Sequence, residues 1–297
     1  MAIDNIYPAK METIERLMKG SIDMHLHPGP HQTPRSDALT VARQAQEVGM
    51  KAIVLKSRSY SSAPLASIVT HAVPDILVLG GLVLDHEAGG LNPYAVEAAI
   101  SFGAKIIWMP VFCAADHLRR HGADEQGITV LQENGKLLPV VYDILGIIRD
   151  KDVVLATGHL SKKEISALVT EARQVGIKKI LVTHATEPGI GLTIEEQQNL
   201  VNEGAIMEHC LFACLPYFTL TKFAQGNKVL EPKEIARAVK AVGAEHCILS
   251  TDSGGPQGPS PPEAMRMFIS MMLACGLSEE ELALMVKIVP TNLLNLK

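Results

Sequence analysis

Short, β-branched-rich apolar runs recur along the chain, and most of them follow a glycine that closes a helical stretch. The phrase reads Gly49-MKAIVLKS, Gly103-AKIIWMPV, Gly176-IKKILVTH, Gly204-AIMEHC and Gly243-AEHCILST. Glycine just past a helix end supplies a left-handed conformation at little steric cost. The runs are apolar on both faces, as strands of a parallel sheet covered by helices are. They predict strands near 21–27, 51–57, 76–85, 104–111, 153–158, 179–184, 205–210 and 246–251. Helical periodicity predicts helices near 37–48, 63–71, 93–102, 139–149, 161–175, 193–203, 231–242 and 260–288, the last one broken. Ser161–Glu164, Thr193–Glu196 and Ser278–Glu281 have the spacing of a capping box. Asn92-Pro93 pairs a capping side chain with proline at the first helical position.

Eight strand–helix units in 297 residues predict a (β/α)8 TIM barrel. A doubly wound sheet is the alternative, but no glycine-rich phosphate fingerprint follows the first strand. One domain is expected over 1–297, with a helical N-terminal segment over 1–20 and an insertion over 112–138 after strand 4. In that insertion Asn134-Gly135, between apolar stretches, predicts a small hairpin.

Composition narrows the function classes. Hydrophobic residues make up 47% and charged residues 20%, which describes a soluble chain with a sizeable core. A net charge of −5 argues against nucleic acid or an anionic membrane surface as partner. No apolar run approaches the ~20 residues of a bilayer span, and the N-terminus lacks the apolar region of a signal peptide. The five cysteines, Cys113, Cys210, Cys214, Cys247 and Cys275, form no CxxC pair. A reducing cytoplasm and a small-molecule partner are expected, with a homo-oligomer as an option.

In such a barrel the C-terminal ends of the strands surround the active site. In order they offer His25 and His27, Lys56, Asp85-His86, Met109-Pro110, His159, His184, Glu208-His209 and Asp252. Alternate strand residues face the same way, so the two imidazoles of 23-DMHLHPGP-30 can aim at one point. A lone strand-end histidine is more often a hydrogen-bonded structural residue than a ligand. Histidines ending strands 1, 5 and 6 with an aspartate ending strand 8 are harder to explain as packing, because buried unpaired polar rings are costly. Four imidazoles and a carboxylate suit Zn²⁺, Mn²⁺ or Fe²⁺.

This order resembles the amidohydrolase superfamily of metal-dependent hydrolases. The phrases HLHPGP, GGLNP, WMP, GHLSKKE and TDSGGP look like a bacterial branch known mainly as a domain of unknown function. The resemblance implies that His25 and His27 hold the more buried ion, and that Asp252 ligates it and takes the proton from water. His159 and His184 would bind a second ion, or His184 would polarise the substrate in a one-ion site. The implied cofactor is one or two divalent transition ions, zinc first, with manganese, iron or nickel as alternatives. The implied reaction is hydrolysis of a small amide, lactone or ester; a phosphoesterase, an isomerase or decarboxylase, and a non-catalytic binding barrel are the competing readings.

One feature departs from the superfamily. The bridging lysine or glutamate that many two-ion members carry at the end of strand 4 is replaced by WMPV, with Lys105 at the wrong end of that strand. Lys56 and Glu208 are the available substitutes. Lys56 has three readings: a carbamate ligand, a cation that holds a substrate carboxylate or phosphate, or a partner of Glu208. Arg58, Arg35, Glu208, His209 and Arg119, the last within 116-DHLRRHG-122, are assigned to the substrate shell.

Overall fold

The computed structural model describes residues 7–297 except 32, 34, 124, 217, 219–227 and 257, with side chains from residue 11 onward. Residues 1–6 of the expected N-terminal segment, Asp124 of the insertion and Gln257 of the loop after strand 8 lie outside the described residues. The strands are β1 (Ile22–Leu26), β2 (Ala52–Leu55), β3 (Leu77–Val83), β4 (Ala104–Trp108), β5 (Val154–Ala156), β6 (Ile180–Val182), β7 (Ala205–Cys210) and β8 (Cys247–Ser250). They form one parallel sheet of eight strands in sequential order. The helices are α1 (Tyr7–Met18), α2 (Ala38–Glu47), α3 (Ala63–Ala72), α4 (Pro93–Ser101), α5 (Ala115–Arg120) and α6 (Pro139–Lys151). After these come α7 (Lys162–Val175), α8 (Ile194–Asn202), α9 (Pro232–Val242), α10 (Pro261–Ala274), α11 (Glu279–Ala283) and α12 (Val289–Leu293). No helix among the described residues is long and apolar enough to cross a membrane.

Local chemistry sets these elements as the sequence predicts. All three capping boxes form, and the Asn92 side chain accepts from the amides of Tyr94 and Ala95. The broken C-terminal helix resolves into α10, α11, a π turn over Leu284–Ile288 and α12. The hairpin of the insertion is a stub, with one antiparallel bridge between Leu131 and Leu137 around the Asn134-Gly135 turn. Helix α5 is an addition, too short and too polar to register as a periodic pattern.

Alternate strand residues divide between two apolar clusters. Ile22, Met24, Val54, Ile106, Trp108 and Ile248 share the interior cluster, whereas Ile53, Leu55, Ile107 and Leu249 pack in the outer one with the helices. Val289, Leu293 and Leu294 join the interior cluster. They make its N-terminal end an apolar plug, each large side chain contributing ~1.5–3 kcal/mol. Polar chemistry is thereby confined to the other end.

There β8 returns to β1 and nearly closes the barrel. Asp252 N donates to His25 O at 2.8 Å, His27 N donates to Ser253 O at 2.7 Å, and Leu26 bridges Ser253. Beneath this seam Asp23 is fully buried. Its Oδ1 accepts from the amides of His25 and Thr251, each at 3.1 Å, and its Oδ2 accepts the Thr251 hydroxyl at 2.5 Å. Burial raises the Asp23 pKa to about 6 against the pull of those donors. Replacing Asp23 by alanine would leave two buried amides without an acceptor. Asp23→Ala is expected to cost ~2–4 kcal/mol of stability, read from urea denaturation; an unchanged midpoint would show that the seam closes without it.

Candidate metal centre

The seam brings the strand-1 histidines to the strand-8 aspartate. The register of β1 against β2 shifts between Asp23 and Leu26, and both imidazoles face the mouth. His25 Nε2 and His27 Nε2 lie 3.2 Å apart. Asp252 Oδ1 stands 3.1 Å from the first and 2.9 Å from the second. The far nitrogens are held as well. His27 Nδ1 is 2.9 Å from the Lys56 carbonyl, which can only accept, so the proton sits on Nδ1. His25 Nδ1 lies 3.3 Å from Glu208 Oε2, both side chains being 0% exposed. With Nδ1 held on the far side, each ring turns Nε2 toward Asp252, the arrangement that outer carboxylates and carbonyls give to metal-ligating histidines. The donor set fits a divalent transition ion.

His184 and Asp252 both sit in the left-handed region, with φ of 56° and 50°. His184 Nε2 is 3.9 Å from Asp252 Oδ2, and its Nδ1 is 3.2 Å from Glu187 Oε2 without the alignment of a hydrogen bond. His25, His184 and Cys210 also lie close enough to share an ion, Cys210 Sγ being 3.8 Å from His25 Nδ1. His159 packs against His184, ring centres 5.1 Å apart, with its Nδ1 3.0 Å from His117 Nδ1. Gly158 makes this possible: a Cβ there would lie 2.3 Å from the Met109 carbonyl oxygen.

Lys56 points into the mouth, Nζ 3.0 Å from His25 Nε2 and 5.2 Å from the centre of the Trp108 ring. Glu208, taken up by His25, is not its ion-pair partner. Trp108 fills the inward position at the end of β4, and Gly81 leaves room for it: a Cβ at Gly81 would stand 2.5 Å from Trp108 Cζ3.

Protonation follows from burial and neighbours. Burial and Lys56 oppose a charge on His25, but Asp252 and Glu208 outweigh them and hold its pKa at about 9. Burial lowers His27 to about 3 and His184 to about 4, and depresses Lys56. Burial also opposes a charge on Asp252, yet the histidines keep its carboxylate well below the usual range. Burial, reinforced by Asp252, raises Glu187 to about 8.

Two residues assigned to the substrate shell are placed elsewhere. The Arg119 side chain is 76% exposed and paired with Asp116 on α5, because that helix turns its other side inward. His209 follows the inward-facing Glu208 on β7, so it points out of the barrel, where Thr186 Oγ1 meets its Nδ1 at 3.0 Å. Arg58 is at the rim, stacked 4.4 Å over Phe112 and 3.3 Å from Glu87, while Arg35 donates to the His27 carbonyl at 2.9 Å. Glu187, His117, Trp108 and Cys210 were not singled out from the sequence. Only the 116–122 cluster hinted at His117, and Glu187 had just its spacing of three from His184.

The profile of a family of unknown function, DUF6282, matches residues 20–208, more than half of the chain. The chain belongs to this family. No curated protein matches the DUF6282 chain. Its barrel is similar to an amidohydrolase from Pseudomonas aeruginosa, at 10% identity over 95% of this chain and 98% of that one, with a TM-score of 0.63. It is similar to a probable 2-pyrone-4,6-dicarboxylic acid hydrolase from Acinetobacter baumannii, at 13% identity over 93% and 99% of the chains, TM-score 0.59. A 2,6-dihydroxybenzoate decarboxylase from Rhizobium gives 12% identity over 93% and 99%, TM-score 0.58. At these identities the likeness is one of fold: the DUF6282 chain has the amidohydrolase-type barrel.

A metal-free DUF6282 centre carries a proton on His25 at neutral pH, whereas an ion needs that nitrogen bare. Because the His25 pKa is raised to about 9, affinity is expected to climb with pH up to that value, about tenfold per unit. Calorimetry at pH 7 in buffers of different ionisation enthalpy should count about one proton released per ion. Binding without proton release would place the ion away from His25.

Proposed function

We propose that the chain is a metal-dependent hydrolase of a small-molecule amide, lactone or ester. The observation that carries this reading is the convergence of His25 Nε2, His27 Nε2 and Asp252 Oδ1 within 3.2 Å at the barrel mouth. In the proposal these three residues hold a divalent transition ion, zinc first, with His184 beside it. Such an ion supplies positive charge that polarises a substrate oxygen and makes water more acidic. Asp252 Oδ2, turned away from the two histidines, takes the proton of the attacking water and delivers it to the leaving group. His184 Nε2, held neutral by burial, faces that same oxygen and positions the substrate carbonyl. The free cysteines fit a reducing compartment.

We further propose one ion per chain. Trp108 occupies the inward end of β4, the position at which many two-ion members of the superfamily carry the bridging group and for which the sequence offers only WMPV. Elemental analysis of protein purified without chelator is expected to give one transition ion per chain, and none in His25→Ala. Two ions per chain would refute the single-ion assignment.

Asp252→Asn is expected to lower turnover ~10²–10⁴-fold, the usual contribution of a proton-transfer group, with little change in melting temperature, since asparagine tolerates a positive φ. Lactones, cyclic amides and esters assayed in ¹⁸O-water should yield product containing the solvent oxygen. The same assay should include aromatic carboxylates, because this fold also serves a decarboxylase. Release of CO₂ without ¹⁸O incorporation would replace the hydrolase reading.

A further inference from the structure

The chain carries a net charge of −5, yet the loops over the candidate centre bring cations to it. Most of these are already neutralised. Arg58 lies 3.3 Å from Glu87 and 3.9 Å from Asp85, and Arg120 donates to Asp116 at 2.9 Å. Asp252 and Glu208 offset the charge that a divalent ion would bring. Arg35 has no ion pair among the described residues, and the carboxylate that acts on it from a distance is Asp252, one of the candidate ligands. Arg35 is half-buried, Nη1 donates to the His27 carbonyl at 2.9 Å, Nε reaches the Thr33 hydroxyl at 3.4 Å, and no carboxylate of the described residues lies within ion-pair distance. A guanidinium has five N–H donors in a planar fork. The remaining donors belong to a guanidinium that Nη1 anchors to the carbonyl of His27, whose ring itself faces Asp252. A half-buried charge with spare donors and no partner is costly unless a ligand completes it.

We propose that Arg35 anchors a carboxylate of the substrate, so that the compound hydrolysed is a small carboxylic acid whose scissile bond lies next to that carboxylate. The inference rests on the hydrolase reading for the reaction and adds the substrate class. A single free guanidinium matches a monoanionic, planar carboxylate in a two-point contact. A dianionic phosphate would call for further unpaired cations at the rim beside Arg35, where Arg58 and Arg120 are committed to Glu87 and Asp116. Lys56 lies deeper, against His25 and Trp108. The anchor also sets distance. The carboxylate would be held one residue's reach from His27, which keeps the bond to be cleaved close to Asp252.

The test is calorimetric binding to zinc-loaded protein of acetate, benzoate and glutarate, of dimethyl glutarate as a neutral analogue, and of inorganic phosphate. At least one carboxylate is expected to bind, with the neutral diester and phosphate at least ~10-fold weaker. Arg35→Gln should weaken that carboxylate ~10–100-fold, as loss of a charged hydrogen-bonded partner does, with zinc content and melting temperature unchanged. Arg35→Lys should restore part of the affinity. Absence of carboxylate binding, preference for phosphate, or equal affinity in Arg35→Gln would each overturn the assignment. The two readings fail separately. Carboxylate binding that depends on Arg35, with no ester, lactone or amide cleaved, would leave the anchor standing and remove the hydrolase. Hydrolysis of neutral substrates with KM and kcat unaffected in Arg35→Gln would do the reverse.

Discussion

The meeting of β8 with β1 brings a buried aspartate, a threonine and several backbone amides together where no solvent reaches. Every donor there has to find an acceptor within the protein, since an unmatched one costs ~1–3 kcal/mol. Asp23 supplies the acceptors for His25 N, Thr251 N and the Thr251 hydroxyl. The same alignment sets His25 O against Asp252 N. The strand that carries two imidazoles and the strand that carries the carboxylate are thus fixed to each other before any ligand arrives.

Above that seam the polar groups are matched in a chain. Glu208 meets His25, the Lys56 carbonyl meets His27, and the two Nε2 atoms meet Asp252. Removing one member would leave a buried charge or lone pair uncompensated, which is why such groups hold position even though their burial adds little net stability. Orientation is what this network contributes. The rings do not need to search for a tautomer when an ion binds, because their outer nitrogens are already committed.

The fold was legible because its signals are local. Capping boxes at Ser161, Thr193 and Ser278, helix-ending glycines and two-faced apolar runs each state where an element starts or stops, and they agree with one another. His25, His27, His184 and Asp252 were legible for a related reason: a strand end in a barrel has a known address. His117 was not, because α5 is a six-residue, charge-rich helix whose approach to His159 depends on the path of the whole insertion. Glu187 comes beside His184 only through the left-handed turn at that histidine, which no pattern announces. Arg119 was misplaced because a charge cluster does not say which of its members faces inward. His209 was misplaced although strand alternation, applied to its neighbour Glu208, would have turned it outward.

The left-handed backbone at His184 and Asp252 also restricts which residues those positions can hold. Among side chains able to bind a metal, histidine and aspartate enter that region several times more readily than others, with asparagine as their uncharged companion. Glutamate reaches further but has no such tolerance, and branching at Cβ is excluded more strongly still. The turn after β6 and the turn after β8 therefore admit a short vocabulary of ligands before any metal is considered. A lineage drifting toward different metal chemistry on this barrel would find those two words the hardest to rewrite, and would have to change its donors on strands whose ends remain extended.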